Sequence, residues 1–237
     1  MKWHEVVTGT FLILVPIGFN VAFLSLGRTF DYPDILRRPT DEILRRFHAG
    51  GTALILRWEL LLLSAIAMLP LVATLSVTLA APGGVAEAAI IFGIAAALTQ
   101  AVGLVRWPFA VPELARRWVA ADDLEPAEAA VARQSIETNF VTIHRLLGAG
   151  IGEHLGYMFT GLWTLATAWS IVTGPKMPHW LGWVAIPIGL AMVVGSLEFA
   201  GRNERDGWPL AGRIVPIAYI AWSIWLIAVG IELILNP

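Results

Sequence analysis

Arg57, Glu59, Arg106, Glu153, His154 and Glu198 interrupt stretches otherwise built of Leu, Ile, Val, Ala and Gly. Guanidinium and carboxylate groups enclosed together can bind an anionic group, clamp a carboxylate or pass on a proton, and an enclosed histidine can relay one. A lone charge at bilayer depth costs at least ~2.5–3.5 kcal/mol, so these groups are expected to face a bundle interior and to pair. Arg57 and Glu59 are two apart on a helix and point to different sides. Glu153 and His154 are adjacent and diverge too, so pairing must run between helices. Two arginines meet three carboxylates, a balance that closes if His154 is protonated or one carboxyl is neutral. Either case puts a titratable group in a low-dielectric site. The structural alternative stays open: buried Arg–Glu pairs can serve only to select which helices pack together.

The elements that must carry these residues follow from composition. The chain has 237 residues, 57% hydrophobic and 14% charged, with a mean hydropathy of +0.70. A soluble domain has roughly 25% charged residues, and one soluble core could not hide this much apolar sequence. The absence of cysteine excludes disulfides, thiol nucleophiles and thiolate metal sites. About 20 mostly apolar residues cross a bilayer as a helix. Six stretches qualify: Thr8–Gly27, Phe47–Leu79, Glu87–Pro112, Val141–Thr173, Trp180–Ala200 and Ala211–Leu235. None alternates as a barrel strand does, so the fold class is all-α, one six-helix transmembrane domain over residues 1–237. The first stretch lacks a basic leader and a small-residue cleavage site, and reads as a retained helix.

Arginines set the expected orientation. Arg28, Arg37, Arg38, Arg45 and Arg46 lie between the first two spans, Arg116, Arg117 and Arg133 between the third and fourth, and Arg202 and Arg205 between the last two. The other side offers only Lys2 and Lys176. The positive-inside rule then puts both termini away from the cytoplasm of a bacterial inner membrane. The turns Ala80–Ala86 and Gly174–His179 are short and Gly/Pro-rich. Thr40 is expected to cap the second helix and Pro126 to open the fourth, running on without a break. At ~1.5 Å per residue, Glu59 lies about 18 Å from Phe47, and Glu153 about 18 Å from Val141. By the same rise Arg106 is about 10 Å from Glu113 and Glu198 about 6 Å from Arg202. Arg57, Glu59, Arg106, Glu153 and His154 thus share one layer, bordered by Glu198, His48, His144 and Arg145.

Other features have two readings each. Gly148, Gly152 and Gly156 form a small-residue row, for packing inside the bundle or for a homodimer. Pro16, Pro108, Pro187 and Pro216 are expected to kink their helices. Asn20, Thr99 and Gln100 can bond across helices. Trp3, Trp107, Trp118, Trp180 and Trp208 read as interfacial anchors, and Trp163, Trp169, Trp222 and Trp225 as core or the wall of a hydrophobic site. Arg57-Trp58 and Arg106-Trp107 echo each other without establishing a duplication. His48 and His144 fall at similar depth, so a bis-histidine haem competes with two plain interfacial histidines. No zinc, covalent-haem, phosphate-loop or serine-hydrolase motif is present, and no metal site is expected. The basic loops suit anionic headgroups of the bilayer, not nucleic acid.

The segments Gln100-Ala101-Val102-Gly103-Leu104-Val105-Arg106-Trp107-Pro108-Phe109 and His144-Arg145-Leu146-Leu147-Gly148 through Ile151-Gly152-Glu153-His154-Leu155-Gly156 resemble the bacterial domain-of-unknown-function 4386 family of membrane proteins. The resemblance is best over the third and fourth helices. It implies a multi-helix inner-membrane protein and brings no reaction, substrate, cofactor or functional residue. Three functions stand. The first is a small transporter or permeation module for an anionic or proton-coupled solute, using Arg57, Glu59, Arg106, Glu153, His154 and Glu198. The second is a membrane-embedded enzyme or redox protein using His48, His144 or His154. The third is a structural or regulatory subunit.

Overall fold

The computed structural model describes residues 3–79 and 83–236. Lys2 and part of the Ala80–Ala86 turn lie outside the described residues. Helices make up nearly all of the rest, with no strand among the described residues: α1 (Trp3–Phe30), α2 (Thr40–Ile66), α3 (Met68–Leu79), α4 (Gly84–Leu104), α5 (Arg106–Ala120), α6 (Pro126–Ile143), α7 (Gly156–Thr173), α8 (His179–Gly195) and α9 (Pro209–Leu235). A π-helical segment, His144–Leu155, joins α6 to α7 without a break.

Five helical stretches are long and apolar enough to cross a membrane: Trp3–Phe30, Thr40–Leu79, Gly84–Asp123, Pro126–Thr173 and Pro209–Leu235. The sixth expected span is shorter. α8 has 17 residues, roughly 25 Å by helical rise against a hydrocarbon core of ~30 Å. It ends at Gly195, so Glu198 sits in the turn that follows and not in the helix expected over Trp180–Ala200. Single spans elsewhere are broken where sequence chemistry breaks them. Pro70 has no N–H for Ile66, and α2 stops there; Pro108 likewise has none for Leu104, and α4 stops there. Gly51 adopts φ 53° and ψ −152° inside α2, a left-handed conformation open to glycine without a Cβ penalty. Thr40 is the first helical residue and makes no side-chain cap; Pro39 holds the cap position. Pro126 does open α6.

Close packing rests on glycine pairs. A β-carbon on Gly103 would lie 2.5 Å from Gly152 Cα, one on Gly9 2.7 Å from the Gly230 carbonyl, and one on Gly161 2.6 Å from the Gly189 carbonyl. These contacts tie α4 to the π segment, α1 to α9 and α7 to α8. Small residues let backbones approach in lipid, where exclusion of water gives no drive to associate. The Gly148/Gly152/Gly156 row is therefore used within the chain: its glycines meet Arg106, Gly103 and Gln100 in turn. Asn20 donates to Ser223 Oγ at 2.9 Å, joining α1 to α9, and Gln100 donates to Thr160 Oγ1 at 2.8 Å, joining α4 to α7. Thr99 donates within its own helix, to the Ala95 carbonyl.

The tryptophans of the two Arg-Trp dipeptides meet. Trp58 and Trp107 stack with centroids 4.3 Å apart and planes 6° from parallel, enclosed by Phe30 and Phe47. Trp107 is fully buried and Trp118 nearly so, its Nε1 donating to Asp41 at 2.8 Å. Neither is an interfacial anchor, because α5 turns its aromatic face onto α2 instead of outward. Trp169, read as deep, is 54% exposed, whereas Trp163, Trp222 and Trp225 are core and Trp3 and Trp180 are exposed as anchors require. At the opposite end, buried Glu5 pairs with Lys176, a contact invisible in the sequence because it joins positions 171 apart.

Gly103→Ala is expected to lower stability by about 1–3 kcal/mol, the usual cost of overpacking. Thermal unfolding in detergent checks it against Gly84→Ala, where a β-carbon meets nothing within 4 Å and no loss is expected.

Candidate functional site

The site begins with a constraint of local geometry. The break between α4 and α5 starts a new helix at Arg106, and the side chain folds back to donate to the Gly103 carbonyl. Its guanidinium then lies against Gly148, where a β-carbon would be 2.7 Å from one of its terminal nitrogens. Arg106 is only 6% exposed, and its Nε has no hydrogen-bond partner. A charge so enclosed demands a counter-charge.

Glu153, on the π segment, supplies it. Arg106 and Glu153 act on each other electrostatically, yet no hydrogen bond or ion-pair contact closes between them. Glu153 also feels Glu198 and Arg37. These two form a second pair at 3.7 Å, with Glu198 largely covered, its side chain 14% exposed, and Arg37 mostly in the open. Glycines make room for Glu198: a β-carbon at Gly212 would lie 2.8 Å from its Oε1. A ladder of charge thus leads from exposed Arg37 through Glu198 to Glu153 and Arg106.

All three tyrosines of the chain surround this ladder. Tyr32, Tyr157 and Tyr219 each interact electrostatically with Glu153. Tyr32 is held edge-on to Trp58 at 5.0 Å, and Tyr219 packs on Phe19 and Tyr157. Tyr32 lies in the loop after α1, where burial, reinforced by the Glu153 charge, pushes its hydroxyl up to about 12. It stays protonated and can donate to an anion. His154 points elsewhere, with Nδ1 2.7 Å from the Ser196 carbonyl at the end of α8. A carbonyl can only accept, so Nδ1 carries the proton and Nε2 is the free nitrogen.

Of the residues singled out in the sequence, the fold therefore joins Arg106, Glu153 and Glu198. Arg57 is directed to α1, where Nε donates to Ser25 Oγ at 3.0 Å, and it does not figure among the charges acting on Glu153. Glu59 is half-buried on α2 and has no ion pair or hydrogen bond among the described residues. His48 is exposed, while His144 is half-buried and has Phe140 and Trp107 as its ring neighbours. Among the described residues no group of three or more His, Cys, Asp or Glu could hold a metal ion. Sequence reasoning missed Arg37 and the tyrosines. Arg37 looked like one more basic loop residue, and the only signal for the tyrosines was their scarcity.

Fold and site define a class: an all-helical membrane protein whose bundle encloses a polar cluster. The chain belongs to the family described as Domain of unknown function (DUF4386), which matches residues 7–230 and so takes in the whole cluster. No curated protein and no solved structure matches it.

Glu198 lies outside the spans, and burial raises its carboxyl above the ordinary range while Arg37 opposes the rise. The folded protein then holds this proton more tightly than the unfolded chain, so its contribution to stability is present at low pH. That contribution is lost as pH climbs from the ordinary carboxylate range through the raised value. Glu198→Gln is expected to flatten part of this decline in unfolding temperature against pH. An unchanged slope would show that Glu198 titrates normally.

Proposed function

We propose that the protein is a small permeation module or transporter of the bacterial inner membrane. It binds a small anionic or proton-coupled solute between Arg106 and Glu153. In this reading the arginine-rich segments face the cytoplasm, and the Arg37–Glu198 pair stands at the cytoplasmic mouth. The single observation that carries the proposal is the open pair. Arg106 is nine-tenths buried with an unpartnered Nε, and Glu153 lies within its electrostatic reach without closing onto it. A pair kept only for packing gains by closing, because desolvated charges are offset only by good geometry and satisfied hydrogen bonds.

The chemistry follows from the donor set. The arginine offers a fixed cationic fork, and Tyr32 a phenol that stays protonated. Glu153 accepts a hydrogen bond or a proton. A solute with an anionic group toward Arg106 and a donor toward Glu153 would bridge them. Glu198, between Arg37 and Glu153, is the group through which a proton would be exchanged with the cytoplasm. His154, tied to Ser196 through Nδ1, leaves its Nε2 at the edge.

The test is a mass survey of small molecules retained by the protein purified in mild detergent, wild type against Glu153→Gln and Arg106→Gln. The expected result is a small polar solute retained by the wild type and lost from both variants, with Glu153→Gln still folded by thermal unfolding. If both variants keep the same small molecules and merely melt lower, the pair is a packing device and the transport reading fails.

A further inference from the structure

Arg57 remains unexplained by that site. It lies well inside an apolar helix with no carboxylate paired to it among the described residues. Among the described residues its one bond is from Nε to Ser25 Oγ, and neither terminal nitrogen of the guanidinium has a partner there. Ser25 uses its oxygen to accept that bond and keeps its hydroxyl proton free. Beside it is a shallow groove of about 290 Å³ on the outer face of α1, lined by Val21, Leu24, Ser25, Arg28 and Thr29. Val21 and Leu24 are more than half exposed, and Arg28 near the end of α1 has no ion pair among the described residues. Asp31, the carboxylate next along the chain, is taken by Arg38 and Arg46.

The groove therefore offers donors and positive charge at one end and bare aliphatic side chains at the other. An unneutralised arginine at this depth is costly, and the ligand that removes the cost must supply oxyanions from the membrane side. A guanidinium fork binds a phosphate with paired N–H···O bonds, to which the Ser25 hydroxyl adds a third donor. We propose that Arg57, Ser25 and Arg28 bind the phosphodiester of an anionic membrane lipid, with one acyl chain laid along Leu24 and Val21. The charge complementarity selects an anionic lipid over a zwitterionic one, since a choline would return a positive charge to two arginines. The apolar lining selects a lipid over a free anion.

Native mass spectrometry of the full chain in detergent tests this with three probes: dioleoylphosphatidylglycerol, dioleoylphosphatidylcholine and inorganic phosphate. Phosphatidylglycerol adducts are expected to be retained over phosphatidylcholine, and the double variant Arg57→Gln/Arg28→Gln to weaken them about tenfold. Equal retention of both lipids, or retention unaffected by the double variant, would overturn the site. Arginine-dependent binding of inorganic phosphate at the same affinity would overturn the lipid assignment. A second measurement leaves both arginines in place. The chain has no cysteine, so Leu24→Cys carries a single fluorophore. Brominated phosphatidylglycerol is expected to quench it more strongly than brominated phosphatidylcholine, and equal quenching refutes the proposal.

Discussion

The approach of Gly103 to Gly152 is the constraint on which the interior depends. A β-carbon on Gly103 would lie 2.5 Å from Gly152 Cα, so α4 and the π segment would have to part there, loosening the seat of Arg106 on Gly148. Three successive contacts follow from that one register, pairing Gln100 with Gly156, Gly103 with Gly152 and Arg106 with Gly148. The break before Pro108 makes the arrangement usable. It frees the chain to start a second helix at Arg106 and leaves the Gly103 carbonyl to receive the guanidinium. The glycine-rich run His144–Leu155 winds as a π-helix on the other side. Wider turns of this kind recur at functional sites, where they re-aim side chains that a regular helix would hide.

Charge in this molecule is sorted by depth and partner. Surface arginines near the loops are engaged: Arg45 with Asp41 and Asp122, Arg116 and Arg117 with Glu113, Arg145 with Glu204. These exposed pairs contribute little each, and their role is to organise the loops. Inside, the pattern reverses. Arg106 and Glu153 are left open to each other, Glu198 is reached through Arg37, and Arg57 is held by a hydroxyl alone. Two aromatic groups accompany the polar interior, the stacked Trp58–Trp107 pair and the cluster of Tyr219, Phe19 and Trp222. Aromatic packing of this kind is rigid, so the charges it encloses have few ways to relax.

Much of this was legible in advance because lipid imposes simple rules. Apolar runs mark the helices, Pro108 marks one interruption while the break before Pro70 shows only in the structure, and the small-residue spacing of the π segment marks a close contact. Arg106, Glu153 and Glu198 stood out as charges in the wrong solvent. Other readings failed for definite reasons. Glu198 was placed in a helix because hydropathy does not register where a helix stops. Depth along a helix suggests the interface for Trp107 and Trp118 but does not say which way a ring turns, and both rings turn inward. Arg57 shared its depth with Arg106 but faces α1.

What the sequence by itself determined is the solvent of each segment: which stretches are apolar enough for a membrane, and which residues cannot stay there alone. Those properties are local, since transfer cost is a sum over side chains. Only the tertiary structure decided partnership. Whether Arg106 meets Glu153 or Arg57 does depends on the rotation of each helix about its axis and on how closely two backbones approach. Both are fixed by contacts such as Gly103 on Gly152 and Trp58 on Trp107, between residues about fifty positions apart.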